Sequence, residues 1–468
     1  MLMLPRERHV LTPAEMRVAE ANAIAAGLPT LLLMERAAAA AALAIRQFCP
    51  RRSALVLCGP GNNGGDGYGV ASALRAAGVA VRVAADSPPT GEPAATLAAR
   101  WHGPVEPLAS AAPAPLIIDA LYGTGLVRRI GDTVQAAIDR LRDSAATVVA
   151  IDIASGVDAL TGVAVGRPLA ADLTVTFGAA KRGHILGAGR RLAGRLVVAD
   201  IGVEVPAVLR LVGKPIAVVL PTDTHKFRRG SIVVIAGDSA RGGAARLTAL
   251  AALRTGAGLV TMIGDSEAPV DAIMRRSDGD AGAILADPRT SAIAIGPGLA
   301  DSQRSRDWLV RVLAGRTPVV ADAGALALAF GQPGEAALFA AATAPLVLTP
   351  HDGEFVRLFG PIGGDRISAV QAAAALAKSV VLLKGAETII AAPDGRVAIN
   401  IHASPWLATA GSGDVLTGII AALLGNGLAP FEAAQAGAWL HGDAGIRGGA
   451  GLIADDIVAL LPIVLGAL

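Results

Sequence analysis

Ser53-Ala54-Leu55-Val56-Leu57-Cys58 runs directly into Gly59-Pro60-Gly61-Asn62-Asn63-Gly64-Gly65-Asp66-Gly67, and this junction decides the fold. The apolar run is a buried strand, the glycines form a loop, and a helix is expected from about Asp66 to Ala77. Glycines let backbone approach a ligand closely, and a helix N-terminus offers free N–H groups, so the junction suits an anion such as phosphate. Its G-x-G-x-x-G spacing, with Asp86 roughly where a ribose-binding acid would sit, has little specificity alone. A bare dinucleotide cradle gains nothing from Asp66 beside a phosphate. Two consecutive Asn with a nearby Asp instead offer oxygens suited to a hard cation.

Outward from the junction the rhythm continues. Thr12-Pro13-Ala14-Glu15 reads as a helix start with Pro at N1 and Glu at N3, and Thr30 to Phe48 as a second helix. Val79–Ala84, Leu116–Ile118, Val148–Ile151 and Leu173–Phe177 are expected strands between helical stretches. Alternating apolar strands and helices mean a parallel sheet covered on both faces. From Val203 to Thr224 the pattern loosens around Pro206, Pro215 and Pro221, which places a domain boundary there, with domains at residues 1–210 and 220–468. A second α/β series is expected at Ser231–Ala236, Leu259–Ile263, Ala292–Ile295, Pro318–Ala321, Leu346–Leu348, Val380–Leu383 and Thr388–Ala391, with a helix at Ala245–Gly256 and Ala-rich helices closing the chain.

Composition narrows the function classes. The 468 residues are 53% hydrophobic, which suits two or three cores rather than an extended scaffold. Mean hydropathy is high at +0.53, yet no stretch reaches the roughly 18 apolar residues of a spanning helix, so no membrane role is expected. Arg6, Glu7, Arg8 and His9 interrupt any apolar leader. Cys49 and Cys58 make neither a disulfide framework nor a metal set, which fits a reducing cytoplasm. A net charge of +2 without a basic block argues against dedicated nucleic-acid binding. Only five of the 41 basic residues are lysines (Lys181, Lys214, Lys226, Lys378 and Lys384), so each marks a position where a compact ammonium can matter.

Two further loops start with Asp at a strand end and turn through Gly: Asp119-Ala120-Leu121-Tyr122-Gly123-Thr124-Gly125-Leu126 and Asp152-Ile153-Ala154-Ser155-Gly156-Val157-Asp158. One such Asp could simply cap a helix; three loops on one carboxyl edge of a sheet make a shared site. Together with FGAAKRGH at 177–184, these motifs resemble the NAD(P)H-hydrate epimerase domain over roughly residues 10–205. The resemblance implies a Rossmann-like three-layer fold. It implies that Asn62, Asn63, Gly64, Gly65 and Asp66, with Gly123, Thr124, Gly125, Leu126, Val127, Arg128 and Arg129, hold the substrate's phosphates and ribose. It further implies a potassium ion at Asn63, Asp119 and Ser155, and Asp152 and Lys181 acting at the nicotinamide ring. Ala154 and Ala180 stand where the family usually has Pro, and Leu33-Met34-Glu35-Arg36-Ala37-Ala38 lacks the usual final Gly.

In the second half, Ala408-Thr409-Ala410-Gly411-Ser412-Gly413-Asp414-Val415-Leu416-Thr417-Gly418 puts a Gly-Ser-Gly turn at a helix N-terminus, an anion hole with Asp414 at its mouth. A carboxylate beside phosphate is repulsive unless it has a task, such as taking a proton from an attacking hydroxyl. The arrangement resembles ribokinase-like kinases. With Lys226-Phe227-Arg228-Arg229-Gly230-Ser231, Gly242-Gly243-Ala244, Gly256-Ala257-Gly258-Leu259-Val260, Gly296-Pro297-Gly298-Leu299, Thr349-Pro350-His351-Asp352-Gly353-Glu354 and Leu383-Lys384-Gly385-Ala386-Glu387-Thr388, it resembles the ADP-dependent NAD(P)H-hydrate dehydratase over about residues 220–465. Ala410 replaces a more usual Gly.

That resemblance implies a ribokinase-like three-layer α/β domain. Lys384, Gly385, Ala386, Glu387, Thr388 and Gly413 are implied to bind the nucleotide, and Ala244, Gly298, His351 and Asp414 to surround the hydrated dinucleotide. Mg²⁺ is expected with ADP near Asp352 and Glu354, although both could equally cap a helix. The implied partners are the hydrates of NADH and NADPH and ADP, in a homo-oligomer. Rival readings are an ordinary small-molecule kinase, a non-catalytic adaptor like some relatives of the first domain, and a Rossmann dehydrogenase resting on G-x-G-x-x-G alone. Two domains fitted to one metabolite, and the retained Asp66, Asp119, Asp152 and Lys181, favour the repair enzyme.

Overall fold

The structure, a computed structural model, describes residues 2–3, 8–50, 52–126, 129–205, 209–217, 223–237, 239–329 and 336–468. The chain divides into two compact units, His9–Val208 and Leu209–Leu468 with Met1–Arg8.

In the first unit, strands β1 (Ala54–Cys58), β2 (Val81–Ala84), β3 (Val105–Glu106), β4 (Leu116–Ala120), β5 (Thr147–Ile151), β6 (Leu173–Phe177) and β7 (Arg195–Ala199) form a seven-stranded sheet in the order β7-β6-β5-β4-β1-β2-β3. Every pairing is parallel. Strand side chains alternate between faces. Ala54, Val56 and Cys58 join the buried faces of α2 (Thr30–Phe48) and α3 (Asn62–Ala76), while Leu55 and Leu57 pack with α5 (Asp132–Arg142) on the other side. These are the three expected layers. The strand order reverses between β1 and β4, so the loops after these strands diverge and open a crevice at their carboxyl ends.

One helix begins earlier than expected. α3 starts at Asn62, so Asn62 to Gly65 are helical rather than loop. The reason is contact. A Cβ at Gly64 would lie 1.8 Å from the Gly59 carbonyl oxygen, and one at Gly67 would lie 2.7 Å from the Ala120 Cβ. The glycines thus let the first turns of α3 press onto the sheet edge. Upstream, α1 (Pro13–Ala25) is fixed by a capping box in which Thr12 Oγ1 accepts from Glu15 N at 3.1 Å and Glu15 Oε2 accepts from Thr12 N at 2.6 Å, a device that contributes about 1 kcal/mol. Val10 and Leu11 add a short parallel ladder to Ala180 and Lys181.

In the second unit, the strands are β8 (Leu209–Leu211), β9 (Ser231–Ile235), β10 (Leu259–Ile263), β11 (Met274–Arg276), β12 (Thr290–Ile295), β13 (Val319–Ala321), β14 (Leu346–Leu348), β15 (Val380–Leu383), β16 (Thr388–Ala391) and β17 (Val397–Asn400). Their order is β11-β10-β9-β12-β13-β14-β15-β16-β17-β8. Pairing is parallel from β11 through β15; β16 lies antiparallel to both β15 and β17. Helices α7 (Gly242–Arg254), α11 (Ser412–Gly425), α12 (Pro430–Gly448) and α13 (Ala454–Gly466) build one core with the sheet. α10 (Arg366–Ala377) packs on β15 and β16 but takes no part in that core, so it covers the opposite face. α8 (Gln303–Leu313) and α9 (Asp352–Phe359) complete the unit's longer helices.

Candidate active sites

The crevice of the first unit holds a cavity of about 550 Å³. Asn62, Asn63, Asp66, Gly123, Thr124, Gly125, Leu126, Asp152 and Lys181 all line it. Gly64 and Gly65 are buried in α3 instead, and Arg129 is exposed and does not line the cavity. Val127 and Arg128 lie outside the described residues.

Asp152 follows β5 with φ 61°, a left-handed conformation rare for a non-glycine residue. Its Oδ1 accepts from Lys181 Nζ at 3.0 Å and Thr176 Oγ1 at 2.9 Å, and its Oδ2 from Thr124 N at 3.0 Å. Burial alone would raise its pKa, but the Lys181 ammonium and these donors hold the carboxyl well below the usual range. Lys181 is buried, and its other two N–H donors go to Thr176 Oγ1 at 2.8 Å and Phe177 O at 3.0 Å. With all three donors taken, the ammonium is a fixed charge.

His184, quoted above only within its motif, locks this pair. Its Nδ1 accepts from Lys181 N at 2.9 Å while Nε2 lies 2.6 Å from Asp152 O, so Nε2 carries the proton. Burial first, then Lys181, push its pKa down to about 4, which keeps the ring neutral and this pattern intact.

Asp119 and Ser155 lie beneath the cavity rather than lining it. Ser155 Oγ donates to Asp119 Oδ1 at 2.5 Å and Ser155 N to Asp119 Oδ2 at 2.8 Å. Burial nonetheless raises the Asp119 pKa. Asn63 is buried, and neither its side-chain oxygen nor its nitrogen has a partner. An orphaned amide of this kind costs about 1–3 kcal/mol unless a ligand or ion meets it. A Cβ at Gly123 would stand 2.9 Å from Asp152 Oδ2 and 3.2 Å from Asn63 Oδ1, so only glycine fits between them. Asp86 accepts from Leu108 N at 3.2 Å, a loop contact that removes it as a ribose ligand.

In the second unit α11 starts at Ser412 behind Gly411, whose φ of 83° needs glycine. Asp414 stands in its first turn, and α7 is tied to it through Thr248 Oγ1, 2.9 Å from Asp414 O. Lys384, at the end of β15, reaches the same place: a Cβ at Gly413 would lie 3.3 Å from its Nζ. Lys384 Nζ bonds Asp322 Oδ1 at 2.8 Å and lies 3.9 Å from Glu354 Oε2. The other Asp322 oxygen accepts from Thr417 Oγ1 at 2.8 Å. Burial first, then the neighbouring Asp322, push the Asp414 pKa up to about 6.

Gly298 stands beside α7; its Cβ would be 2.6 Å from Arg241 O and 3.8 Å from the Ala244 Cβ, which places Ala244 and Gly298 together. Gly385 to Glu387 form the turn between β15 and β16, exposed at Gly385 and Ala386, and Thr388 at the start of β16 closes it with Oγ1 to Gly385 O at 3.4 Å. His351 is an N-cap: Nδ1 accepts from Gly353 N at 3.0 Å, and Glu354 Oε2 returns the contact to His351 N at 2.9 Å. Asp352 is held by Arg366 at 2.7 and 3.0 Å, so of the two acids only Glu354 faces the lysine.

Sequence reasoning passed over Asp322, Thr417, His184 and, on α1, Arg17 and Glu20, which line the first cavity. Asp322 carries the same signature as Asp119 and Asp152, an Asp closing an apolar strand, and could have been found by it. Residues 13, 16, 17, 20 and 24 share one helical face, the available signal for α1.

Residues 30–183 match the family model described as YjeF-related protein N-terminus, and residues 232–453 match that described as NAD(P)H-hydrate dehydratase. A bifunctional NAD(P)H-hydrate repair enzyme of Moorella thermoacetica is 37% identical, over 94% of this chain and 93% of its own length. One from Escherichia coli is 36% identical, over 93% and 89%. Among solved structures, an ADP/ATP-dependent NAD(P)H-hydrate dehydratase of Bacillus subtilis, co-crystallised with ATP and Mg²⁺, is 32% identical and covers 53% of this chain and 93% of that one, with a TM-score of 0.47. With relatives matched along nearly their whole length and both halves represented, the chain belongs to the family of bifunctional NAD(P)H-hydrate repair enzymes.

Proposed function

We propose that the first unit interconverts the R and S hydrates of NADH and NADPH at nicotinamide C6, and that the second dehydrates the S hydrate with ADP, returning the reduced dinucleotide with AMP and phosphate. The observation that carries this is the presence of both sites in one chain: an ionised Asp152 locked beside Lys181, and an Asp414 of raised pKa at a helix N-terminus beside Lys384.

In the epimerase site Asp152 is the base, held ionised by Lys181 and aimed by His184. The cavity takes the nicotinamide end at Asp152, with Asn62, Asn63, Asp66 and Gly123–Leu126 toward the ribose and phosphates. The orphaned Asn63 amide, with Asp119 and Ser155, is where potassium fits, an uncharged amide and hydroxyl suiting a monovalent ion. Such an ion would order the three loops; an anomalous peak beside Asn63 in caesium-grown crystals tests it.

In the dehydratase site Asp414 takes the C6 hydroxyl proton and the oxygen attacks the β-phosphorus of ADP, releasing AMP. The ring nitrogen lone pair then expels phosphate and a C5 proton leaves, restoring the dihydropyridine. The step turns a poor leaving group, hydroxide, into a good one. Free N–H groups at the start of α11 and the Lys384 ammonium face the phosphates. Magnesium would neutralise phosphate charge, with Glu354 the carboxylate placed to hold it. A homo-oligomer in the cytoplasm belongs to the same proposal; Cys49 and Cys58 are free and buried, and no helix among the described residues is long and apolar enough to cross a membrane.

The test is a mixture of R and S hydrates given ADP or ATP in turn. Full conversion to the reduced dinucleotide with ADP, and AMP as product, is expected; recovery of neither epimer would overturn the proposal.

A further inference from the structure

α1 brings to the first cavity a carboxyl group that none of the glycine motifs touches. Glu20 lines the cavity from the same helical face as Met16 and Arg17 and is half-buried. Among the described residues its carboxylate has no hydrogen bond or ion pair. It shares the lining of this cavity with Arg17, Asp66, Asp152 and Lys181, whose charges reach it.

The stereochemistry of epimerisation creates a demand that the Asp152–Lys181 pair cannot meet. Inversion of C6 through an N1=C6 iminium takes oxygen off one face of the ring and returns it on the other, so this route needs proton-handling groups on two walls. Lys181 cannot be the second, because its three N–H bonds end on Asp152, Thr176 and Phe177. Asp66 is buried in the cavity wall, and burial first, then Asp152 and Glu20, push its pKa well above the usual carboxylate range, which suits a hydrogen-bond donor. Glu20 is the carboxyl group left. Burial raises its pKa while Lys181 draws it down, a balance that lets it cycle.

We propose that Glu20 is the second acid–base residue of the epimerisation, acting on the C6 hydroxyl at the ring face that Asp152 does not serve. The inference rests on the epimerase reading of this unit. Protonated Glu20 gives its proton to the C6 hydroxyl. The C6–O bond breaks with its electron pair on oxygen, water departs, and the N1 lone pair forms an N1=C6 double bond. Water then adds to C6 from the other face, the π pair returns to N1, and Asp152 takes the proton of the adding water. One proton has passed from Glu20 to Asp152 and returns through solvent; the reverse conversion uses the two groups in exchanged roles.

The experiment is epimer interconversion by the full chain, followed by chromatography, for wild type, E20Q and E20D, with thermal unfolding as the control for folding. E20Q is expected to lower kcat about 10²-fold or more while KM stays within about threefold, because a general acid is lost and packing is kept. E20D keeps the acid but withdraws it by a methylene, and is expected to lower kcat by about tenfold at unchanged KM. Should E20Q unfold early, E20D decides. Reaction in oxygen-18 water is expected to place label at C6 of the inverted epimer. Unchanged kcat in both variants, a loss confined to KM, or inversion without label would overturn the inference. A wild-type chain unable to interconvert the epimers would overturn the epimerase reading itself.

Discussion

Both units set a lysine among aspartates, and they shift the reacting carboxyl's pKa in opposite directions. In the first, the ammonium bonds the reacting carboxylate directly, Lys181 Nζ to Asp152 Oδ1 at 3.0 Å, and Asp152 stays ionised despite burial. In the second, the ammonium is committed to a neighbour, Lys384 Nζ to Asp322 Oδ1 at 2.8 Å. Asp414 is left with burial and the Asp322 charge, and its pKa rises to about 6. Which carboxylate the lysine bonds decides the outcome. The fixed pair suits a carboxylate that must be ionised to take a proton from the adding water, while the raised Asp414 suits a base working near neutral pH.

The largest expected effect breaks the second half of this comparison. Asp414→Asn is expected to lower dehydration by about 10²–10⁴-fold, the usual consequence of losing a general base, while R-to-S conversion continues at the wild-type rate. Chromatography of both reactions on one preparation reads this; normal dehydration would remove Asp414 from its role. Lys181→Met breaks the first half. Removing one partner of a buried pair is expected to cost about 3–5 kcal/mol of stability, read by denaturant unfolding, and to lower epimerase kcat by about 10²-fold as Asp152 loses its fixed charge.

The smallest effect is in pH. Dehydration should fall by about tenfold per unit below the Asp414 pKa of about 6, because only the ionised form accepts the proton. Asp152 adds no such limb to epimerisation near neutrality, since its pKa is depressed. Stability follows the same contrast. The raised Asp414 contributes stability below the ordinary aspartate range and loses it as pH rises through about 6. The depressed Asp152 contributes above that range and loses it only in strong acid. Rate profiles between pH 5 and 8, and unfolding midpoints carried from pH 8 down into strong acid, check both.

Strand positions were legible where apolar runs were continuous: Leu173–Phe177, Leu259–Ile263, Leu346–Leu348, Val380–Leu383 and Thr388–Ala391 stand where expected. Most of the strands passed over are short or half-exposed, although the buried Val397–Asn400 was passed over as well. Val105–Glu106 has two residues, Met274–Arg276 is exposed throughout, and Arg195–Ala199 carries a weak apolar pattern at the sheet edge. At the sites, glycine loops advertised Asp66, Asp152 and Asp414. Asp322 shares the strand-end signature of Asp119 and Asp152, but the pairings of Asp322, His184 and Glu20 exist only once β13 meets β15, once residue 184 folds back on Asp152, and once α1 crosses the crevice. Pair chemistry of this kind depends on contacts distant in sequence, which periodicity does not report.

The central claim is that two separable sites on one chain act on one damaged cofactor. Its most direct test is the amount of reduced dinucleotide recovered from a mixture of R and S hydrates with ADP, over a time in which the uncatalysed epimers do not interconvert. The wild-type chain should convert the whole mixture. Asp152→Asn should convert the S share at the normal rate and then stop. Complete conversion by Asp152→Asn, or a wild-type reaction that halts at the S share, would contradict the account.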